Sequence, residues 1–383
     1  MIKLIQGGEV FAPEERGVQD LLIVGGSIGK VERNISVQGF PGEVECYDAR
    51  EKIICPGLID SHIHLIGGGG AGGYLSRVKE ISVEQVVRQG VTTVVGCLGL
   101  DCLSKNVKTL LIKSKALECS GISAYVFTGS WTFPPITVTG TVEEDLLLID
   151  PVIGVKLAVG EPSTTNPSER ELQDLLAEIR RGAILSGKAG VLHVHLGPEG
   201  REWMRTFQKI LSAVKLPFHK VVFTHANRSR DILQPATEFL RLGGALDFTV
   251  SLNPVERPGS IPASQALREI ADAGIPWEKV TFTSDSNASR VLSDGKIIYI
   301  GIERLLFQIR DLVQEQKMPL SSALRPVTVN AAKLYQLDSR KGSLQPGKDA
   351  DLLILNKRWE VVEVMAKGSW VVKDGQALIS DPV

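Results

Sequence analysis

The stretch Ile54-Cys55-Pro56-Gly57-Leu58-Ile59-Asp60-Ser61-His62-Ile63-His64-Leu65-Ile66-Gly67-Gly68-Gly69-Gly70 decides the reading of this chain. Its apolar run beside a Pro-Gly pair reads as a buried strand, and four glycines close it. Side chains two apart on a strand point to the same side. His62 and His64 therefore project together, in reach of one metal ion, and Asp60 has the same parity one pair deeper. The glycines let the backbone turn sharply or approach a ligand closely. A pair of histidines alone is ordinarily structural, so the reading needs further ligands at the ends of later strands.

Working outward, the 383 residues suit a barrel with a small companion domain, and 43% hydrophobic with 23% charged residues is a globular composition. A net charge of −1 gives no electrostatic case for nucleic acid or an anionic membrane. Met1 to Gly8 lacks the apolar core of a signal peptide, and no run reaches the length of a membrane span. Five scattered cysteines (Cys46, Cys55, Cys97, Cys102, Cys119) form no Cys-x-x-Cys pair and read as small core residues of a cytoplasmic protein.

Both ends are β-rich. Ile2 to Ile5, Asp20 to Val24, Ile28 to Val31 and Val44 to Asp48 are short runs, with Gly25-Gly26 as a hairpin turn. Ala350 to Leu355, Val361 to Ala366 and Trp370 to Val372 follow a turn at Leu344 to Gly347. The expectation is a discontinuous β-sandwich domain made of residues 1–54 and 344–383.

The middle, 55–343, alternates strand and helix. Eight strand candidates are Ile53 to Leu65, Thr92 to Leu98, Ser123 to Thr128, Val152 to Val159, Gly190 to His195, Val221 to His225, Leu246 to Ser251 and Val280 to Ser284. Amphipathic stretches separate most of them, including Lys105 to Cys119, Glu169 to Leu185 and Arg201 to Val214. Parallel strands need such crossovers, so an α/β fold, a (β/α)8 TIM barrel, is expected, with chemistry at the C-terminal strand ends. The strand ends carry it. Five of the six histidines (His62, His64, His193, His195 and His225) stand there, Lys156 interrupts an apolar run, and Asp285 closes the eighth strand. The sixth, His219, falls in a loop.

This pattern resembles the amidohydrolase superfamily. Pro56 to Gly70, Gly154 to Lys156, Thr224 to Arg228 and Ser284 to Ser289 look most like isoaspartyl (β-aspartyl) dipeptidase. The resemblance implies two divalent ions, zinc by preference, held by His62, His64, Lys156, His195, His225 and Asp285. Lys156 would bridge as a carbamate formed with carbon dioxide. A buried free ammonium is costly, which supports that reading over a snorkelling lysine. His193 shares its parity with His195 and stays open as the fifth-strand ligand. Paired cations make hydroxide available near neutral pH. Asp285 is the expected general base rather than a helix cap. Gly69, Arg228, Ser289 and Trp131 are the expected substrate-binding residues, with Arg228 able to fork onto a carboxylate.

Three positions depart from the dipeptidase pattern. Ala71 stands where the family has a glutamate for the substrate's α-amino group, Trp131 where it has a tyrosine, and Ser163 where it has an arginine for the terminal carboxylate. The expected function is hydrolysis of an isopeptide-like amide in a small molecule or dipeptide, with an altered pocket in which Glu161 or another loop residue replaces the missing groups. Alternatives are an amidohydrolase of N-acyl amino acids or cyclic amides, and a non-catalytic binding or assembly protein. No nucleic-acid or membrane partner is expected; a homo-oligomer is.

Overall fold

The computed structural model describes residues 1–40 and 42–381. Eight parallel strands follow in sequence order: Leu58–Ile63, Val91–Gly96, Ser123–Gly129, Val152–Val159, Val191–Leu196, Val221–Thr224, Ala245–Thr249 and Val280–Thr283. Every residue of the first, fourth and fifth is buried, as befits strands covered on both faces. The eighth meets the first just beyond its own end. Asp285 N–H donates to the His62 carbonyl at 3.0 Å, and His64 N–H to the Ser286 carbonyl at 3.1 Å. That seam brings the His-x-His pair and Asp285 side by side.

The crossover helices have the expected caps and faces. Glu169–Ser186 starts at a Ser168–Glu171 capping box and buries Leu172, Leu175, Leu176 and Ile179. It ends at Gly187, in the left-handed conformation that glycine adopts freely.

Strands from both ends of the chain form one nine-stranded mixed sheet with its own core of Ile5, Val10, Leu21, Ile23, Ile54, Leu352, Ile354 and Met365. The Gly25-Gly26 turn joins Glu15–Val24 to Ser27–Glu32 as an antiparallel hairpin. The segment entering Leu352–Leu355 is pinned by a buried ion cluster. Lys341 Nζ lies 2.7 Å from Asp349 Oδ2 and 2.6 Å from Asp351 Oδ2.

The apolar run Ile53 to Leu65, read as one strand, is two. Ile53–Pro56 pairs antiparallel with Leu352–Leu355 in the terminal sheet, and Leu58–Ile63 opens the barrel. Gly57 makes the change of sheet. A Cβ there would sit 2.3 Å from Thr92 Oγ1, so only a residue without a side chain passes. The cysteine expectation also needs correction. Cys55, Cys97 and Cys102 are buried, but Cys46 and Cys119 are exposed. Cys46 lies on Val44–Asp48, which has a single strand neighbour, and Cys119 on the last turn of Val107–Cys119. No helix among the described residues is long and apolar enough to cross a membrane.

Candidate metal centre and active site

A cavity of about 410 Å3 opens at the C-terminal strand ends. His62, His64, Lys156, His195, His225 and Asp285 all line it, as do Gly69, Trp131, Arg228 and Ser289. His193 does not. It lies behind His62, with Nε2 3.1 Å from His62 Nδ1 and its ring stacked on Phe127. Tyr335 OH sits 3.2 Å from its other nitrogen. The geometry thus separates the two fifth-strand histidines into a cavity residue, His195, and a buried supporting residue, His193.

The hydrogen bonds fix which imidazole nitrogens keep a lone pair. The Thr224 hydroxyl donates to Asp247 at 2.6 Å, so it accepts from His62 Nδ1 at 3.1 Å. His64 Nδ1 faces the Cys97 carbonyl at 3.2 Å, which can only accept. In His62 Nε2 is left as the basic nitrogen, whereas His64 Nε2 donates to Asp285; burial works to lower the His64 pKa, but Cys97 and Asp285 outweigh it and raise the value to about 10. His62 Nε2 lies 3.1 Å from Lys156 Nζ and 3.4 Å from Asp285 Oδ1, and His64 Nε2 lies 3.1 Å from Asp285 Oδ1. His225 Nδ1 pairs with Thr249 Oγ1 at 2.6 Å. His195 is turned the other way, with Nε2 on Glu161 Oε1 at 3.1 Å, leaving Nδ1 as its basic nitrogen. Burial pushes His62, His193 and His225 well below the usual imidazole range, and they are neutral, the form a metal ion binds. Ligand atoms of His62, His225 and Asp285 lie within 4.8 Å of one another, a group able to hold a metal ion.

Lys156 is 1% exposed and burial lowers its pKa. Among the described residues no carboxylate oxygen lies within 4.0 Å of its Nζ. Beneath it, Asp247 accepts from Thr224, Thr281 and Thr283, and burial raises its carboxyl to about 6. His225 and Asp285 both hold positive φ, +64° and +51°, unusual for residues with side chains and typical of functional positions. Asn287, at φ +58°, donates to the His64 and Lys79 carbonyls at 2.8 and 3.0 Å and so fixes the end of the His-x-His segment.

The expected substrate contacts show unforeseen partners. Arg228 is paired with Glu161 at 2.6 Å and donates to the Leu196 carbonyl. Burial works to raise the Glu161 carboxyl, but His195 and Arg228 together hold it at about 2. Glu161 is thus engaged inside the site rather than free for an ammonium group. Ser289 donates its hydroxyl to the Ser76 carbonyl, leaving lone pairs toward the cavity. Gly69 faces it. A Cβ at Gly69 would come 2.3 Å from Ser289 Oγ, and its φ is +106°. Trp131 Nε1 donates to Ser163 Oγ at 3.1 Å. Two of the three departures from the dipeptidase pattern therefore touch each other, and all three, Ala71 included, line the cavity.

Sequence reasoning missed Arg257 and Arg290, both in the cavity wall. Arg290 lies on a hairpin, Ala288–Val291 with Ile297–Ile300, that follows the eighth strand. Arg257 lies in the loop after the seventh. Neither place has a periodicity to betray it; the signal was an arginine soon after a strand end.

The amidohydrolase family model matches residues 53–371. A crystal structure of β-aspartyl dipeptidase from Fervidobacterium islandicum AW-1, in complex with β-Asp-Leu dipeptide, is 34% identical, with a TM-score of 0.90 over 98% of each chain. Adenine deaminase 1 of Latilactobacillus sakei is 26% identical over 93% of this chain and 54% of its own length. This chain therefore spans about half of that relative. Imidazolonepropionase of Thermoplasma volcanium is 24% identical over 88% of this chain and 83% of its own. With a cluster able to hold a metal at the strand ends of this barrel, the chain belongs to the amidohydrolase family.

Proposed function

We propose that the cavity hydrolyses an amide bond, of isopeptide type, in a small substrate, using two divalent ions. The observation that carries this is the convergence of His62, His64, Lys156, His195, His225 and Asp285, from five different strand ends, on one cavity wall. The donor set fits. His62, His64 and Asp285 would hold one ion and His195 and His225 the other, and imidazole with carboxylate suits zinc. Lys156, buried without a carboxylate partner, fits a carbamate shared between them.

When bound, the ions supply Lewis acidity and a water of lowered pKa. Asp285, held beside His64 at the barrel seam, would be the residue that accepts a proton from the attacking water and passes it to the departing amine. Thr224, itself bonded to Asp247, and His193, braced by Tyr335, hold His62 in its tautomer from behind. Leu98, Leu100, Leu252 and Ile300 add apolar surface to the wall.

The altered pocket favours a second reading of the substrate. Ala71 has no charge for an α-ammonium and Ser163 none for a carboxylate, while Glu161 is already paired. N-acyl amino acids or cyclic amides, which lack an α-ammonium, suit that wall better than β-Asp dipeptides. The five unpaired thiols support a reducing, cytoplasmic setting, and a homo-oligomer is part of the proposal.

Elemental analysis of metal-replete protein, with a steady-state screen of β-Asp dipeptides, N-acyl amino acids and cyclic amides, tests the reading. Two ions per chain and turnover of an amide are expected. Well under one ion per chain with no turnover would leave a non-catalytic binding protein.

A further inference from the structure

The charges of the cavity wall do not balance. Glu161 neutralises Arg228. Glu256 is held by both outer nitrogens of Arg304, at 2.8 and 2.7 Å, and lies 3.6 Å from Arg290. Arg257, next to Glu256 in the chain, has no carboxylate within 4.0 Å and no side-chain hydrogen bond among the described residues. It is nevertheless part of the wall. Burial and then Arg228 and Arg290 lower its pKa to about 10, against the pull of Glu161 and Asp285, so it is still a cation at neutral pH, with no carboxylate in contact among the described residues.

Its backbone is fixed in advance. Asn253 Oδ1 accepts from Val255 and Glu256 N–H at 3.1 and 3.0 Å, and the Asn253 carbonyl accepts from Arg257 N–H at 2.9 Å. Ser260 Oγ donates to the Arg257 carbonyl at 2.8 Å. The far end of the loop is tied to the sixth strand, where Asn227 Nδ2 donates to the Ile261 carbonyl at 2.8 Å. A guanidinium on a held loop, turned into a cavity and without a protein partner, is built to meet an anion from outside.

We propose that Arg257 anchors a substrate carboxylate remote from the scissile bond, filling the role that serine at position 163 cannot. The substrate class is narrowed to amides that carry such a second carboxylate. The inference rests on the amide hydrolysis proposed above only for the word substrate; the anion site is a property of the wall itself.

The test compares glutarate with glutarate monoamide by titration calorimetry on the intact protein. Each offers one carboxylate to the rest of the site, so the difference isolates the second. Wild type should bind glutarate about tenfold or more tighter, Arg257→Gln should bind both equally, and Arg257→Lys should keep part of the preference. Because the Arg257 guanidinium holds nothing else together, circular dichroism and melting of both variants should match wild type. In parallel, kcat/KM is measured for β-Asp-Leu and its C-terminal amide. Loss of the acid preference in Arg257→Gln, with part of it kept in Arg257→Lys, supports the anchor. Equal binding of the two probes by wild type, or a preference surviving in Arg257→Gln, overturns it. A glutarate preference that depends on Arg257 in a protein that cleaves no amide would sink the proposed function and leave the anchor standing. Amide turnover with a preference independent of Arg257 would do the reverse.

Discussion

Replacing Asn227 with alanine should unfasten the sixth strand from the seventh. The sixth strand ends at Thr224, and beyond it His225 turns the chain away at positive φ. The Asn227 side chain continues the ladder in place of the backbone. Its Oδ1 accepts from Thr249 N–H at 2.9 Å, and its Nδ2 donates to the Thr249 and Ile261 carbonyls at 3.1 and 2.8 Å. The residue is 0% exposed, so water does not take over these bonds. Each of the three is worth about 1 kcal/mol net, and an orphaned buried N–H at Thr249 adds about 1–3 kcal/mol, giving roughly 4–6 kcal/mol in all. For a 383-residue chain that corresponds to a fall of about 5–7 °C in Tm at a per-residue unfolding entropy of about 2.1 cal/mol/K. Scanning calorimetry at matched rates reads the shift, and hydrogen exchange should rise in the 249–261 segment. Asn227→Asp keeps the Thr249 N–H partner but sets a carboxylate oxygen against two carbonyls. The new acid's pKa would be raised in the folded state, so this variant should regain stability as pH falls toward the unfolded value near 3.9. An Asn227→Ala protein melting within about 1 °C of wild type would refute the reasoning.

Three further outcomes are expected. Lys156→Ala should lose metal and turnover together, with short carboxylic acids restoring part of both; unchanged metal content by elemental analysis would show a merely packed lysine. Lys341→Met leaves Asp349 and Asp351 buried without their shared cation and should cost about 3–5 kcal/mol in denaturant titrations. In wild type, burial opposes the charge on Lys341, but Asp351 and Asp349 outweigh it and raise its pKa, so that its contribution fades only as pH climbs past the unfolded lysine value near 10.4. Asp349, lowered by Lys341 and Arg340 against its own burial, contributes above the unfolded value near 3.9 and is lost as pH falls below it; the variant's stability profile should flatten at both limits. Finally, Ala71→Glu, Trp131→Tyr and Ser163→Arg together should raise β-Asp-Leu kcat/KM about 10–100-fold. Trp131→Tyr alone should gain little, since it forfeits the bond to Ser163; high β-Asp-Leu turnover by wild type would contradict the altered-pocket reading.

Much of the barrel was legible because parity and residue type repeat at each strand end. Two histidines spaced by one, a lysine inside Val152–Val159 and an aspartate closing Val280–Thr283 are hard to explain as scattered core residues. Partnerships across the cavity were not legible. Glu161 and Arg228 are both loop residues far apart in sequence, and nothing local pairs them. Arg257 and Arg290 lie where backbone geometry, rather than periodicity, decides direction. The break at Gly57 was hidden because apolar residues run through it on both sides, and only the change of partner, from Leu352–Leu355 to Val91–Gly96, marks it.

Pairing of Ile53–Pro56 with Leu352–Leu355 also has a temporal consequence. The two partners are separated by roughly 300 residues, which at a synthesis rate of about 5–20 residues per second is a delay of about 15–60 s. Throughout that interval Ile53–Pro56 has Glu9 and Val10 on one side and an unfilled hydrogen-bonding edge on the other. Until Leu352–Leu355 arrives, the open edge of Ile53–Pro56, rather than the cluster of candidate metal ligands, is where a nascent chain is most exposed to pairing with the wrong strand.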